Sequence, residues 1–374
     1  AVQQRFPVFR PDEEEFTNGF VEYVKKIQVQ CWSYGFAKII PPDSWSAGSE
    51  DQEHLLTAST SSFLVRSPIL QHIIGENGMY QQQNHIKRSM KAKQFQKLAI
   101  EPEKQPKADS NFNSYNDTLE KEFWDDILKD PPLYGTDTSG TLFSADLYHW
   151  NLSKLTEQNI LKYLAANIQG VTSTNLYFGM WRSMFAWHTE DMDLFSINYM
   201  HCGKPKYWYG IPERDRRAFE KLAAELFPRK FNSCRQFLRH KTTMIHPSIL
   251  RKAGITVYSD IQREREFIIT FPGAYHSGFN AGYNCAEAVN FALESWIPRG
   301  QMASVCYCKK DSIAINMDVF LYNYHLAKNS QQNITQNNES TNSSSSPEKQ
   351  VHEKRKKLES TDPSDEPAAK KVCV

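Results

Sequence analysis

The stretch Phe185-Ala186-Trp187-His188-Thr189-Glu190-Asp191-Met192-Asp193 sets a histidine and a glutamate two residues apart at the end of an aromatic run. In an extended chain, side chains i and i+2 share a face, so His188 and Glu190 can reach one metal ion together. A second imidazole comes from far along the chain, His276 in Phe271-Pro272-Gly273-Ala274-Tyr275-His276-Ser277-Gly278-Phe279-Asn280. Two imidazoles and one carboxylate occupy one face of an octahedron and leave positions open for substrate and O2, a set that suits non-haem Fe(II). Alone, a His-x-Glu tripeptide is commonly a coincidence. Its surroundings decide.

On both sides of this stretch, from 176 to 210 and again from 265 to 295, β-branched and aromatic residues dominate and Gly and Pro punctuate them, which predicts strands. Residues 213 to 227 and 247 to 253 read as helices between them. Upstream, residues 11 to 27 carry Phe16, Phe20, Tyr23, Val24 and Ile27 as one apolar helical stripe opened by Pro11 and Asp12. Ala37-Lys38-Ile39-Ile40 is a short strand stopped by Pro41 and Pro42. Residues 46 to 62 are Ser/Thr-rich and read as a mobile connection. Residues 85 to 98 and 115 to 129 are expected to be helices, with 101 to 114 as a loop.

The chain has 374 residues, 40% hydrophobic and 13% aromatic, enough for a sizeable core. Its formal charge of +1 gives no bulk attraction to DNA. No apolar run approaches the length of a membrane span, so no membrane partner is expected. The seven cysteines are few, odd in number and scattered, which favours free thiols and a metal site over a disulfide framework. Beyond about residue 328, Asn, Gln and Ser give way to charge and proline, a composition expected to stay disordered. The clusters Lys354-Arg355-Lys356-Lys357 and Lys370-Lys371, with an acidic spacer between, resemble a nuclear-import signal; a solvated charge run is the equal alternative.

Tyr177-Phe178-Gly179-Met180-Trp181, Ser196-Ile197-Asn198-Tyr199 and Gly203-Lys204-Pro205-Lys206-Tyr207-Trp208-Tyr209 complete a pattern. Together with the metal stretches, they make residues 6 to 325 resemble the JmjN–JmjC histone lysine demethylases. The resemblance implies a mixed, mainly β fold: a double-stranded β-helix (jelly-roll, cupin-like) core with surrounding helices and a JmjN cover. It divides the chain into a JmjN segment at 6–48, a linker and mixed region at 49–140, and a JmjC catalytic jelly roll with a zinc site at 141–310. A helical segment at 311–328 and the disordered tail at 329–374 follow.

By the same resemblance, His188, Glu190 and His276 hold iron, and 2-oxoglutarate and O2 are co-substrates. Lys206 and Tyr134 bind the far carboxylate of 2-oxoglutarate, Asn198 hydrogen-bonds its chelating end, and Phe185 and Trp208 line the pocket. Lys241 lies near the metal on the oxygen side. Gly170 through its carbonyl, Tyr177 and Glu190 surround the methylammonium, with Asn290 beside them. Ala288 and Val289 stand where many members have two hydroxyl residues. Asn84 and Asp137 match positions that hold the substrate peptide. Cys306-x-Cys308 puts two thiolates on one side of an extended segment, and Cys234 and His240 bracket a short helical turn. The family places a structural zinc at the matching four positions.

The activity so implied is removal of methyl groups from trimethyl- and dimethyl-lysine of a histone H3 tail, at lysine nine and also lysine thirty-six, by a monomeric nuclear enzyme acting on chromatin. A 2-oxoglutarate-dependent protein hydroxylase is the alternative within the oxygenases. A chromatin-binding pseudoenzyme is the alternative outside them, and it would be expected to have lost a metal ligand.

Overall fold

The computed structural model describes residues 4–48, 63–108, 117–308 and 312–342. Its strands run, in chain order, β1 (Val8–Phe9), β2 (Phe36–Ile39), β3 (Leu64–Val65), β4 (Ile69–Glu76), β5 (Met79–Ile86), β6 (Met90–Lys91), β7 (Leu133–Ser139) and β8 (Asn175–Gly179). The second half holds β9 (Met184–His188), β10 (Phe195–Gly203), β11 (Lys206–Ile211), β12 (Thr243–Ile245), β13 (Tyr258–Gln262), β14 (Phe267–Thr270), β15 (Tyr275–Asn280) and β16 (Asn284–Phe291). A ten-stranded sheet has the order β1-β2-β14-β10-β16-β8-β7-β4-β5-β12, and a four-stranded sheet the order β13-β11-β15-β9. This is the mainly β jelly-roll architecture that the sequence implied.

The period-2 alternation of the central strands explains how the two sheets enclose a polar cavity inside apolar walls. On β10, Phe195, Ile197 and Tyr199 join one apolar cluster, while Ser196 and Asn198 face the cavity. On β11, Tyr207 and Tyr209 join a second cluster, while Lys206 and Trp208 face inward. The first cluster is completed by Phe16, Phe20, Tyr23, Val24 and Ile27, and the second by Leu119, Phe123 and Trp124. Phe123 stacks on Phe279 with ring centroids 3.9 Å apart.

The N-terminal stripe is buried as its spacing predicts, but on two helices rather than one. Asp12 and Glu15 form a capping box that starts Glu13–Thr17. Gly19, at φ 97°, then breaks the chain before Phe20–Cys31. A Cβ there would lie 2.7 Å from His149 Nδ1. The segment is also more than a cover. β1 pairs parallel with β2, and β2 pairs antiparallel with β14, so the N-terminus extends the large sheet. Lys38 on β2 is buried; its ammonium lies 2.8 Å from Glu266 and 3.8 Å from Asp260, and donates to the Ile261 carbonyl at 2.8 Å.

Two expectations are corrected. Residues 85 to 98 are not one helix: β5 runs to Ile86, β6 follows, and the helix spans only Ala92–Ala99. The run Met79–Ile86 pairs along its whole length with β4, and this pairing overrides the helical preference of its glutamines. The helix Met317–Asn342 also continues past residue 328, where disorder was expected. Gln, Asn and Ser can extend a helix without an apolar face to bury. All but the first three residues of the expected connection at 46–62, and the basic clusters beyond 342, lie outside the described residues. No helix among the described residues is long and apolar enough to cross a membrane.

Candidate metal centre and co-substrate pocket

His188 ends β9 and His276 sits near the start of β15, directly opposite it in register. Their ring centroids are 4.2 Å apart. Glu190 lies just beyond the strand in extended backbone (φ −63°, ψ 152°), so the alternation that predicted a shared face still applies. One carboxylate oxygen approaches His276 Nε2 at 3.2 Å. The three donor atoms all lie within 4.8 Å of one another.

Both imidazoles are oriented by the backbone. His188 Nδ1 lies 2.7 Å from the Ala186 carbonyl and His276 Nδ1 3.4 Å from the Ala274 carbonyl. A proton on each Nδ1 donates there and turns an Nε2 lone pair toward the shared centre. Burial, then the nearby His276 and Lys241, holds His188 well below its usual pKa and so in the neutral, ligating form. Burial alone would raise Glu190. The close contact with His276 and the nearby Lys241 ammonium outweigh it and keep the carboxyl ionised. Lys241 itself is held charged by Asp191, Glu190 and Asp137 against the effect of burial.

A cavity of about 430 Å³ opens beside this centre. Among its lining residues are Asn84, Tyr134, Asp137, Gly170, Tyr177, Phe185, Asn198, Lys206, Trp208, Lys241, Ala288 and Asn290. Val289 borders the cavity too, but it is packed in the apolar cluster with Ile197. Alternation therefore sets Ala288 and Asn290 on the cavity side of β16 and Val289 in the core. Gly170 takes φ 80°, and its carbonyl already accepts from the Asn290 amide at 3.2 Å. Tyr177 donates to Asp137 at 3.4 Å. The Asn84 carbonyl accepts from Gln82 at 2.6 Å.

Lys206 tests whether a dicarboxylate fits. It is 1% exposed and donates to Asn280 Oδ1 at 2.7 Å. Among the described residues no carboxylate forms an ion pair with it. Burial pushes its pKa down to about 7. A buried ammonium with only neutral partners is an incomplete site for an anion. The Phe185 and Tyr134 rings stand 5.5 and 5.7 Å from Nζ. Asn198, which also lines the cavity, has its Oδ1 buried without a hydrogen-bond partner. The cavity lining therefore combines a buried ammonium with the metal-donor set, the two features that the 2-oxoglutarate assignment requires.

The residues that support this pocket carry no sequence motif. Asn280 donates through Nδ2 to Ser183 O and Oγ at 3.1 and 2.9 Å, which aims its Oδ1 at Lys206. Gln71 on β4 exchanges two hydrogen bonds with the backbone of Met184 on β9, at 2.8 and 2.9 Å. Gln262 accepts from the Trp208 indole at 3.0 Å and donates to the Asn198 carbonyl at 3.0 Å, bracing the two sheets where they meet the pocket. A buried amide has no motif. Only the strand pairing reveals its role.

The second constellation also assembles. Cys234 Sγ lies 3.7 Å from Cys306 Sγ, and His240 Nε2 3.2 Å from Cys306 Sγ. With Cys308, the four donor atoms fall within 4.8 Å of one another. A sulfur separation of 3.7 Å is far too long for a disulfide. It matches the edge of a tetrahedron with metal–sulfur bonds of about 2.3 Å. The residues present thus fit a closed structural zinc. Cys31, Cys202 and Cys285 are buried away from it.

Comparison with known proteins agrees with this geometry. Residues 7–41 match the family described as jmjN domain, and residues 175–291 the family described as JmjC domain, hydroxylase. The chain is 41% identical over 317 residues to lysine-specific demethylase 4D of Rattus norvegicus, covering 84% of this chain and 60% of that protein. It is also 41% identical over 318 residues to lysine-specific demethylase 4B of Mus musculus and to probable lysine-specific demethylase 4F of Homo sapiens, covering 28% and 48% of their lengths. The chain spans less than two thirds of each of these relatives. With both domains in order and the likeness running across most of its length, this chain is a protein with jmjN and JmjC domains that is similar to the lysine-specific demethylases.

Proposed function

We propose that this protein removes methyl groups from trimethyl- and dimethyl-lysine of the histone H3 tail, at lysine nine and also lysine thirty-six, as an Fe(II)- and 2-oxoglutarate-dependent oxygenase acting in the nucleus as a monomer. The observation that carries the reading is Lys206, a buried ammonium with no carboxylate partner among the described residues, in one cavity with the His188–Glu190–His276 donor set. The names of the relatives, lysine-specific demethylases, support the substrate class.

His188, Glu190 and His276 would hold the iron. Bound with 2-oxoglutarate and O2, it supplies hydroxylation of an N-methyl C–H, with the co-substrate oxidised to succinate and CO2. Lys206 and Tyr134 anchor the far carboxylate, and Asn280 keeps Lys206 aimed at it. Asn198 meets the chelating end. Phe185 and Trp208 exclude water from between them. The Gly170 carbonyl, Tyr177 and Glu190 present oxygen atoms to the methylammonium, each contact contributing about 0.5–1 kcal/mol. The hydroxymethyl product then loses its C–N bond to give formaldehyde and the demethylated lysine. This route needs no lone pair on nitrogen, so trimethyl-lysine is accepted.

The test is mass spectrometry of several trimethylated H3 peptides incubated with protein, Fe(II), 2-oxoglutarate and ascorbate. Loss of 14 Da steps from a lysine-nine peptide, dependent on 2-oxoglutarate, is expected. Addition of 16 Da without loss of methyl groups would mean a hydroxylase instead.

A further inference from the structure

The backbone leaving Glu190 is strained. Met192 (φ 54°, ψ 22°) and Asp193 (φ 49°) are consecutive non-glycine residues in the left-handed region. L-residues avoid that region, and such outliers persist only where their surroundings over-determine them. Here the surroundings are two arginines. The Asp193 carboxylate is buried, accepts from Thr189 Oγ1 at 3.1 Å and from Arg239 Nη2 at 2.8 Å, and pairs with Arg216 Nη1. Trp296 Nε1 holds the Met192 carbonyl at 2.9 Å.

Arg239 does more than neutralise Asp193. Its other terminal nitrogen, Nη1, donates to the backbone carbonyl of Glu190 at 3.1 Å. One planar guanidinium thus ties the metal-facing residue to the strained residue three positions on. Arg239 belongs to the short turn Phe237–His240, and its neighbour His240 is a donor of the sulfur-rich site. Cys234 starts the same segment. The two donor clusters are therefore joined through a single side chain that ligates neither.

We propose that Arg239 is a positioning residue that holds Glu190 ready for its metal, and that it couples the Cys234–His240–Cys306–Cys308 site to the His188–Glu190–His276 site. The proposal rests on the metal assignment above. A filled tetrahedral site fixes the Phe237–His240 turn; the turn fixes Arg239; Arg239 fixes the carbonyl and the turn of Glu190. By linkage the coupling is reciprocal, so metal at the triad also favours the arrangement of the sulfur-rich site. A lysine at 239 supplies the charge for Asp193. It lacks the planar fork that bonds two oxygens at once.

The experiment measures binding of Co(II), a redox-inert probe, to the full zinc-loaded chain by equilibrium dialysis, with its visible absorption recorded. His188→Ala serves as the control that assigns the binding to the triad. In Arg239→Gln the Co(II) affinity is expected to fall about ten- to a hundred-fold, the usual effect of losing an outer hydrogen-bonding partner of a ligand. The Co(II) absorption should change shape, while zinc stays at one per chain by elemental analysis. Arg239→Lys should keep the melting temperature closer to that of the unsubstituted protein and still bind Co(II) more weakly. Should Arg239→Gln lose zinc or fail to fold, Arg239→Lys decides. Unchanged Co(II) affinity in a folded, zinc-loaded Arg239 variant overturns the proposal. Absence of His188-dependent Co(II) binding in the unsubstituted protein overturns the metal assignment itself.

Discussion

Replacing Lys206 with methionine should make the ligand-free protein more stable, not less. The ammonium is buried, and its pKa falls from 10.5 to about 7 because burial disfavours the charged form. A shift of that size corresponds to roughly 5 kcal/mol of destabilisation at low pH. The substitution also removes the hydrogen bond to Asn280, worth about 1.5–3 kcal/mol for a charged donor. Asn280 Oδ1 is not orphaned, because Asn284 donates to it at 2.9 Å. The net gain is then about 2–3 kcal/mol, or roughly 4 °C in melting temperature for a domain of this size. Because the folded-state pKa lies below the unfolded one, the destabilisation is fully present at low pH and nearly so at pH 7. It fades as pH rises toward 10.5, so the gap between variant and parent should shrink between pH 7 and pH 9.5. Thermal melts at both pH values, with and without 2-oxoglutarate, read all of this. 2-Oxoglutarate should raise the melting temperature of the parent and leave Lys206→Met unmoved. A variant that melts lower than the parent at pH 7, or a gap that does not change with pH, refutes the picture of Lys206 as an ammonium awaiting an anion.

Lys38→Met should act in the opposite direction, costing about 3–5 kcal/mol, because it leaves buried Asp260 without its cation and Glu266 with only Arg263; a chemical denaturation midpoint no lower than that of the parent would contradict it. Cys306→Ser should lose the zinc found at about one per chain by elemental analysis, together with thermal stability, since structural zinc contributes folding free energy. His188→Ala should abolish formaldehyde release while leaving the circular dichroism spectrum unchanged; undiminished release from a metal-checked sample would remove the iron assignment. Ala288→Ser should lower dimethyl-lysine turnover more than trimethyl-lysine turnover, by roughly tenfold or less, since a new hydroxyl on the cavity face of β16 gives a dimethylammonium N–H an unproductive acceptor. Equal changes in the two rates would show that this position does not set the preference.

His188, Glu190 and His276 were legible because strand alternation and metal chemistry both constrain them, and because their aromatic flanks belong to a family pattern. Cys234, His240, Cys306 and Cys308 needed the resemblance, since their spacing is not that of a common zinc finger. Lys206 was named from its motif, but its isolation from any carboxylate is a property of the fold. Asn280, Gln71, Gln262 and Arg239 were silent in the sequence. Each works through hydrogen bonds to residues far away in the chain, and no local pattern records that. Residues 85 to 98 misled because Met79–Ile86 is polar on both sides, so its strand shows no alternation. Ala288 and Val289 both border the cavity, but only the pairing of β16 shows that Val289 is also packed against Ile197 in the core.

The bond pair between Gln71 and Met184 has one more implication. Among the described residues β9 pairs within its sheet only with β15, so its other side is an edge that carries a metal ligand at its end. Such edges invite a foreign strand. An amide side chain offers one donor and one acceptor in the same plane as a peptide group, and Gln71 spends both on the Met184 N–H and carbonyl. At that position it mimics a neighbouring strand one residue long. An incoming extended peptide cannot zip onto β9 there, and neither can the same edge of a second molecule. A peptide bearing the proposed methyl-lysine would therefore reach the cavity by a route other than strand addition to β9 at Met184.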